Sequence, residues 1–199
     1  MMKILFWNSQ GMANPSTLCS LKLLVGKHKP PIIGISDPKS KCFISSTPLA
    51  RNSDYLLSST QDEYSLDRLF FLIHQSVINP YIVRVDEQMI TFSFLNKGKT
   101  SFCSMVYAYN CYIKRRSLWQ HIKDLSSFIS NPWVVMGDFN YILHADEKIG
   151  HAYNVASKRD FRSCIEESNV IEFNLIGAKF TWYKRHLTGT RVSRIYHAF

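Results

Sequence analysis

Three short apolar runs, each ended by a polar side chain, constrain the fold of this chain most strongly. In "PWVVMGDFN" a run rich in β-branched and aromatic residues has the pattern of a buried strand, and Asp138 and Asn140 follow it at once. The runs "KILFWN" and "IIGISD" have the same form and end at Asn8 and Asp37. Such strand ends predict polar side chains collected at one edge of a sheet.

The order of elements predicts an α/β sandwich. Strand, helix and strand come first, many strand-like runs follow, and helix, strand, helix and further strands complete the order. Helical spacing favours helices from Asn14 through Val25, in "RRSLWQHIKDLSSFI" and in "KRDFRSCIEESN". "NKGK" at residues 96–99 predicts a hairpin turn, whereas "AKFTWYK" and "VSRIYHAF" are interpreted as final strands. We expect one domain over residues 1–199, in which Asn8, Asp37, Asp138 and Asn140 meet in one cleft.

Charge and cysteine content limit the classes of partner and the cell compartment that fit this sequence. The chain has 24 basic and 15 acidic residues, a net charge of +9 and a pI near 9.4, which favours a polyanion such as nucleic acid over a merely solvated basic surface. Five cysteines without a CxxC pair support neither a zinc knuckle nor a disulfide framework. No apolar run approaches the roughly 20 residues of a membrane span. We therefore expect an intracellular protein of the nucleus or cytoplasm that makes no membrane contact.

The polar strand ends suit phosphodiester chemistry. Hydrolysis of a phosphodiester requires a divalent cation, a group that orients water, and donors to the phosphate oxygens. A sparse Asp/Asn set fits Mg²⁺ better than a His/Cys cluster would. Asp138 is the candidate base, and Asn140 lies on the same side of an extended chain. The simpler alternative is that the two residues only form an Asx turn after a strand.

Several motifs, in this order, resemble the endonuclease/exonuclease/phosphatase (DNase I-like) superfamily. They look most like the endonuclease-like domain of plant non-LTR (LINE-type) retrotransposons, and the resemblance covers nearly the whole chain. The motifs are "WNSQG", "ISDPKS", "MVYAYN", "YIKRRSLWQHI", "PWVVMGDFNYIL", "DFRSCIEESNVIEF", "GAKFTWYKR" and "SRIYHAF". "PWVVMGDFN" followed by "KFTW" is the most specific combination.

The resemblance implies a fold and a set of roles. The fold is a four-layer sandwich of two packed mixed β-sheets flanked by helices, here without its final strand. Asn8 would contact the metal region and the phosphate, and Asp37 stands where the family has a metal-binding Glu. Tyr107 would contact the scissile phosphate, Asp138 would orient the attacking water, and Asn140 would orient the phosphate. The implied cofactor is Mg²⁺, with Mn²⁺ as a substitute.

Three departures from the family pattern predict an impaired, truncated and partly degenerate copy. Aspartate at position 37 is one methylene shorter than the family's glutamate, and Mg²⁺ tolerates little change in ligand distance. Tyr196 replaces the family's Asp, and a neutral phenol cannot stabilise an imidazolium as a carboxylate does. The family's catalytic histidine lies in a strand that the sequence does not include. His197 aligns beside the missing Asp and is interpreted as a surface or core residue.

Three functions stay open on the sequence. The first is a Mg²⁺-dependent DNA endonuclease, and the second is a catalytically silent module that binds nucleic acid. The third, disfavoured by "KRRSLW" and "KFTW", is a small-molecule phosphatase of the same superfamily. We expect this protein to be a monomer that binds DNA. We also expect that it was once fused to a reverse transcriptase. The residues predicted to contact nucleic acid are Lys114, Arg115, Arg116, Thr181, Trp182 and Arg194, and Lys184 and Arg185 add to the basic surface.

Overall fold

The chain forms two compact units, each built from two segments. The computed structural model describes residues 2–12, 14–39, 55–61, 67–150, 153–173, 176–186, 189–194 and 196–199. The first unit contains Met1–Tyr107 and Asn131–Gly137, and the second contains Ala108–Ser130 and Asp138–Phe199. The single domain over residues 1–199 stays a prediction.

A four-stranded mixed sheet and one helix begin the first unit. The strands are β1 (Ile4–Asn8), β2 (Ile32–Ser36), β3 (Tyr55–Gln61) and β4 (Asp67–His74), in the order β1-β2-β4-β3. β1 and β2 are parallel and the other pairs are antiparallel. The helix α1 (Pro15–His28) joins β1 to β2. The Asn14 side chain caps it by accepting from the Ser16 N–H at 3.0 Å, which confirms the predicted start.

The strands β5 to β8 form the second sheet of the first unit. They are β5 (Ile78–Val85), β6 (Met89–Asn96), β7 (Lys99–Tyr107) and β8 (Trp133–Asp138). Asp138, the last residue of β8, belongs to the second unit. β6 and β7 pair from Met89↔Val106 to Asn96↔Lys99. Lys97 and Gly98 between them have φ of +49° and +78°, as a two-residue type I′ turn requires. The predicted hairpin is confirmed.

Both faces of the first sheet are buried. Phe71 packs toward the second sheet, with its ring centroid 3.9 Å from that of Phe92. Its neighbour Phe70 points to the opposite face, into a cluster with Leu21 of α1 and Ile33 of β2. All five side chains are at most 1% exposed. The continuous apolar run "RLFFLIH" therefore reflects a strand covered on both sides.

The second unit combines helices with short strands. Its helices are α2 (Tyr112–Phe128) and α3 (Val155–Glu167), and a short 3-10 helix spans Ala145–Glu147. Its strands are β9 (Lys148–Ile149), β10 (Trp182–His186), β11 (Gly189–Ser193) and β12 (Tyr196–Ala198), of which β10, β11 and β9 form one sheet in that order. Its core stacks Phe161 against Trp119 and Phe139, with ring centroids 4.7 and 5.1 Å apart.

Two predicted strands have different limits. The strand expected over "AKFTWYK" begins only at Trp182, and "VSRIYHAF" is divided between β11 and β12. The division lies at Arg194, whose N–H donates to the main-chain oxygen of Glu147 at 2.9 Å. Within the described ranges, no helix is both long and apolar enough to cross a membrane.

Candidate active site

Asn8 and Asp37 lie at the ends of two neighbouring parallel strands. Asn8 is in register with Ser36, the residue before Asp37. The following residue, Ser9, donates from its N–H to the Ser36 oxygen at 3.0 Å and from its hydroxyl to the Asp37 oxygen at 3.1 Å. The register and these bonds bring the two predicted metal-site residues to one end of the first sheet.

The oxygens of this strand end suit a hard cation. The Asp37 carboxylate is 23% exposed, and its Oδ2 lies 3.5 Å from the Nζ of the exposed Lys39. The Asn8 Oδ1 accepts from the Gln10 N–H at 3.1 Å. A carboxylate and an amide oxygen are ligands that Mg²⁺ uses, with water and substrate completing the shell. The residues present therefore fit the cation, although it would compete with Lys39 for Asp37.

Tyr107, the last residue of β7, is held by an arginine. The Arg68 guanidinium carbon lies 4.7 Å from the centroid of the Tyr107 ring, and its Nη2 donates to the Tyr107 main-chain oxygen at 3.2 Å. Arg68 also donates from Nε to the Glu87 oxygen at 3.1 Å. Arg68 was not among the predicted site residues, because nothing in "DRLFFLIH" indicates which distant ring an arginine at a strand start will cover.

Asp138 and Asn140 form a tight turn directly after β8. Asp138 is 1% exposed, and its Oδ1 accepts from the Asn140 N–H at 2.9 Å. The Asn140 Nδ2 donates to the Ala108 oxygen at 2.7 Å, and the Ala108 N–H donates to the Asp138 oxygen at 2.8 Å. Asn140 has φ of +51°, a conformation that Asn tolerates better than most residues. The Asx turn is therefore present, and it also fixes a buried carboxylate and an amide beside each other.

Gly137 is required for the chain to reach this turn. A Cβ atom at this position would lie 2.1 Å from the main-chain oxygen of Val106, and the φ of Gly137 is +150°. Only glycine combines this backbone conformation with so close an approach of two strands.

Arg115 is buried rather than exposed on a binding surface. It is 2% exposed, and its guanidinium donates to main-chain oxygens, among them that of Asn140 at 3.2 Å. Burial lowers the pKa of Arg115, an effect that the nearby Tyr141 and Asp138 oppose. The phosphate contact predicted for Arg115 does not fit this burial. The burial of Arg115 could have been predicted from its spacing to Leu118, Trp119 and Ile122, because positions i, i+3, i+4 and i+7 share one helix face.

The other residues predicted to contact nucleic acid differ in exposure. Lys114 is exposed, with Nζ 5.1 Å from the Tyr109 ring centroid, and Arg116 is exposed and paired with Asp160 at 3.0 Å. Thr181 precedes β10 and donates from its N–H to the Ser193 oxygen at 3.1 Å. The side chain of Trp182 lies outside the described residues. Arg194 is 15% exposed and engaged in ion pairs.

Those ion pairs belong to a network of charged groups around Glu172. Arg194 lies 3.0 Å from Glu147 Oε1 and 2.6 Å from Glu172 Oε1. His144 Nε2 and His197 Nδ1 lie 3.2 and 3.1 Å from the Glu172 carboxylate. His197 is 3% exposed, so it is a core histidine, one of the two interpretations the sequence allowed. Burial alone would raise the pKa of Glu172, but the hydrogen bond from His197 and the charge of Arg194 lower it overall.

This network also contains a candidate metal-binding set. Among the described residues, His144, Glu147 and Glu172 offer ligand atoms that all lie within 4.8 Å of one another. The Arg194 guanidinium already neutralises both carboxylates there, and Glu147 Oε2 accepts from the N–H groups of Leu143 and His144 at 2.7 and 2.8 Å. We therefore interpret the set as an internal ion-pair network rather than as a metal centre.

Solved structures with the same fold include an endonuclease domain, an AP endonuclease and a 3′ phosphatase. The endonuclease domain of TRAS1, a telomere-specific non-LTR retrotransposon, superposes with a TM-score of 0.73 at 11% identity, over 100% of this chain and 84% of that domain. The AP endonuclease LMAP from Leishmania major gives 0.69 at 11% identity, over 96% and 79% of the two chains. The 3′ phosphatase NExo from Neisseria, bound to product DNA hairpin, gives 0.66 at 14% identity, over 100% and 86%.

These comparisons establish the class of fold. Besides the short β10-β11-β9 sheet, the chain has two mixed β-sheets with flanking helices, the α/β fold of the DNase I-like enzymes, as the resemblance implied. No family model and no curated protein matches the chain.

Proposed function

We propose that this protein is a divalent-metal-dependent phosphodiesterase that nicks DNA. The Asp138–Asn140 turn carries the proposal, because it holds a buried carboxylate in place. Burial of a carboxylate costs stability unless the group is hydrogen-bonded or paired with a charge. Here the carboxylate accepts from Asn140, whose amide is fixed in turn by Ala108. The nuclease fold supports the same reaction class.

Asp138 and Asn140 have separate roles in the proposed reaction. Asp138 orients the attacking water and accepts its proton as the water oxygen bonds to phosphorus. The P–O bond to one nucleotide oxygen breaks in the same step, and this leaving oxygen takes a proton from solvent. Asn140 donates to the phosphate: one hydrogen of its amide is used by Ala108, and the second is left to the substrate. Tyr107 contacts the scissile phosphate from the end of β7.

Asn8 and Asp37 would hold the cation, for which we propose Mg²⁺ or Mn²⁺. When bound, the cation neutralises the charge that develops on the phosphate oxygens. Lys39 modulates this site, since its ammonium lies beside the Asp37 carboxylate and must give way to a cation. The short aspartate side chain at this position predicts weaker metal binding than a glutamate would give.

We propose that turnover is slow. Tyr196 stands where the resemblance places an Asp that orients a histidine, and the described His197 is used by Glu172 and by the Tyr141 oxygen. Loss of one positioned acid–base group typically lowers a rate by about 10²- to 10⁴-fold. The motif order supports descent from a LINE-type non-LTR retrotransposon, as an impaired copy.

A second function is favoured by the charge. The net charge of +9 and the exposed Lys114 and Arg116 support DNA binding even without turnover. We assign the proposed DNA surface to these two cations with Thr181 and Trp182, and we leave out Arg115 and Arg194 because both are engaged inside the chain.

Nicking of supercoiled plasmid by the purified protein, in Mg²⁺ and in EDTA, tests the proposal. We expect slow conversion to open circles in Mg²⁺ and none in EDTA. Salt-dependent DNA binding without cleavage would instead identify the silent binding module, and each lost phosphate contact, such as that of Lys114→Ala, would reduce the log-log salt slope by about one.

A further inference from the structure

Arg115 is the most heavily engaged buried cation among the described residues of the second unit. Its Nη1 donates to the main-chain oxygens of Tyr109, Asn110 and Asn140 at 2.9, 3.1 and 3.2 Å. Its Nη2 donates to the Ser157 hydroxyl at 2.7 Å. One guanidinium thus joins the loop after Tyr107, the turn after β8 and the start of α3.

The bonds of Arg115 converge on the chain that carries the proposed catalytic pair. Residues 108–110 and 138–140 are already joined by two hydrogen bonds between Ala108 and the Asp138–Asn140 turn. Arg115 adds a donor to each of these two stretches. It also covers the next side chain, since its guanidinium carbon lies 4.8 Å from the centroid of the Tyr141 ring.

A purely structural role would not require a charge at this position. Burying a guanidinium carries a desolvation cost, and an apolar side chain of similar volume often replaces a buried charge without loss of stability. What an apolar side chain cannot do is donate to three carbonyl oxygens at once. A lysine cannot reproduce the arrangement either, because the donors of a guanidinium lie in one plane at fixed angles.

We infer that Arg115 is a positioning residue of the proposed phosphodiesterase site, whose buried guanidinium fixes the main chain that carries Asp138 and Asn140. This inference rests on the proposed function. Arg115 contacts neither the proposed substrate nor the proposed cation, and it acts through the Asn140 oxygen and the Tyr109–Asn110 loop. Displacement of reacting groups by about 1 Å can cost about 10²-fold in rate. The effect of losing Arg115 should therefore appear in kcat and leave the KM for DNA nearly unchanged.

The test compares Arg115→Ala and Arg115→Lys with Arg162→Ala, which changes an exposed arginine of α3 that is paired with Glu166 in a one-turn ion pair. We expect Arg115→Ala to lower kcat for plasmid nicking about 10²-fold with KM within twofold, and added guanidinium at non-denaturing concentration to restore part of the rate. Arg162→Ala should behave as the unaltered protein does. A rise in KM with unchanged kcat would overturn the inference, and so would a kcat of Arg115→Ala equal to that of the unaltered protein.

Amide hydrogen exchange of Asn140, measured by NMR, separates this inference from the proposed function. In Arg115→Lys, the Asn140 N–H should lose its protection and shift its resonance, whereas Arg162→Ala leaves it unchanged. If the unaltered protein does not nick DNA, the proposed function fails, and this signature alone decides the role of Arg115. An unchanged Asn140 resonance in a folded Arg115→Lys protein would contradict it. Should Arg115→Ala not fold, the lysine variant carries the kinetic comparison as well.

Discussion

The main-chain N–H of Asn140 donates to the buried Asp138 carboxylate at 2.9 Å, so each residue of the proposed catalytic pair constrains the other. The same Asn140 donates from its side chain to Ala108 and accepts at its main-chain oxygen from Arg115. An Asx turn after a strand is a common structural device. The main-chain N–H, the side-chain amide and the main-chain oxygen of Asn140 each make one of these bonds, and all three bonds fix the turn.

Replacing the Asn140 side chain should impair activity more than stability. Asn140→Ala removes the bond to Ala108 and the proposed phosphate donor, and loss of such a donor typically costs about 10²- to 10³-fold in kcat. The matched control is Asn169→Ala, because Asn169 is exposed and has the same φ of +51°. Both variants bear the same backbone strain, so a similar loss of nicking in both would contradict the role of Asn140.

Gly137→Ala should destabilise the fold. The new methyl group would meet the Val106 main-chain oxygen at 2.1 Å, which the strands relieve only by moving apart. We expect a loss of about 1–3 kcal/mol in the free energy of unfolding, measured by urea denaturation.

Gly26→Ala is the control for Gly137→Ala. Gly26 lies inside α1, and a Cβ there meets nothing within 4 Å. This change should stabilise the protein by about 0.5–1 kcal/mol, since alanine favours a helix over glycine. Equal effects at the two positions would show that the approach of Gly137 to Val106 is not needed.

The ion pairs of Glu172 should make stability depend on pH. Its pKa is lowered in the folded state, so its contribution is present above the ordinary value of 4.5 and is lost as the pH falls through the folded pKa. Thermal unfolding should show Glu172→Gln less stable than the unaltered protein at pH 7, with the difference shrinking below pH 4.5. The exposed Glu166→Gln is the control. A difference that stays constant down to acid pH would refute the assignment.

The cysteines should differ in their reaction with iodoacetamide. Cys111 is exposed at the start of α2, and hydrogen bonds from the Lys114 and Ile113 N–H groups lower its pKa, whereas burial raises the pKa of Cys164 to about 12 and that of Cys103 still further. Because the thiolate is the reactive form, Cys111 should be alkylated faster than the exposed Cys19. Peptide mass spectrometry at pH 7 measures these rates.

The buried Cys103 and Cys164 should react only after unfolding, and denaturant should make all rates similar. A Cys111 no faster than Cys19 in the native protein would show that the helix start does not activate it. Cys42 lies outside the described residues and is not part of the comparison.

Local chemistry predicted much of the fold. "NKGK" at residues 96–99 predicted a hairpin turn, Asn14-Pro15 predicted a helix start, and short unbroken apolar runs predicted buried strands. The features of the fold that could not be predicted depend on contacts between residues far apart in sequence. "VSRIYHAF" is divided at Arg194, which bonds to Glu147 and Glu172 across 47 and 22 positions.

The candidate site was predicted in part for the same reason. The sequence predicted that Asn8 lies near Asp37 and that Asp138 lies near Asn140, because each pair follows from strand ends and short spacing. The roles of these residues in a site stay a prediction. Arg115 stands between Lys114 and Arg116 in an apparent basic patch, and only its helical phase distinguishes it from them. The partners of Arg68 and His197 depend on tertiary contacts that a single sequence does not encode in any local pattern.

Plasmid nicking by Asp138→Asn tests the central claim most directly. The substitution keeps the shape of the side chain and an oxygen for the Asn140 N–H, but it removes the negative charge that accepts a proton. We predict Mg²⁺-dependent nicking by the unaltered protein and a rate at least about 10²-fold lower in Asp138→Asn, with the same thermal stability to within a few degrees. Equal nicking by both proteins, or nicking that persists in EDTA, would contradict it.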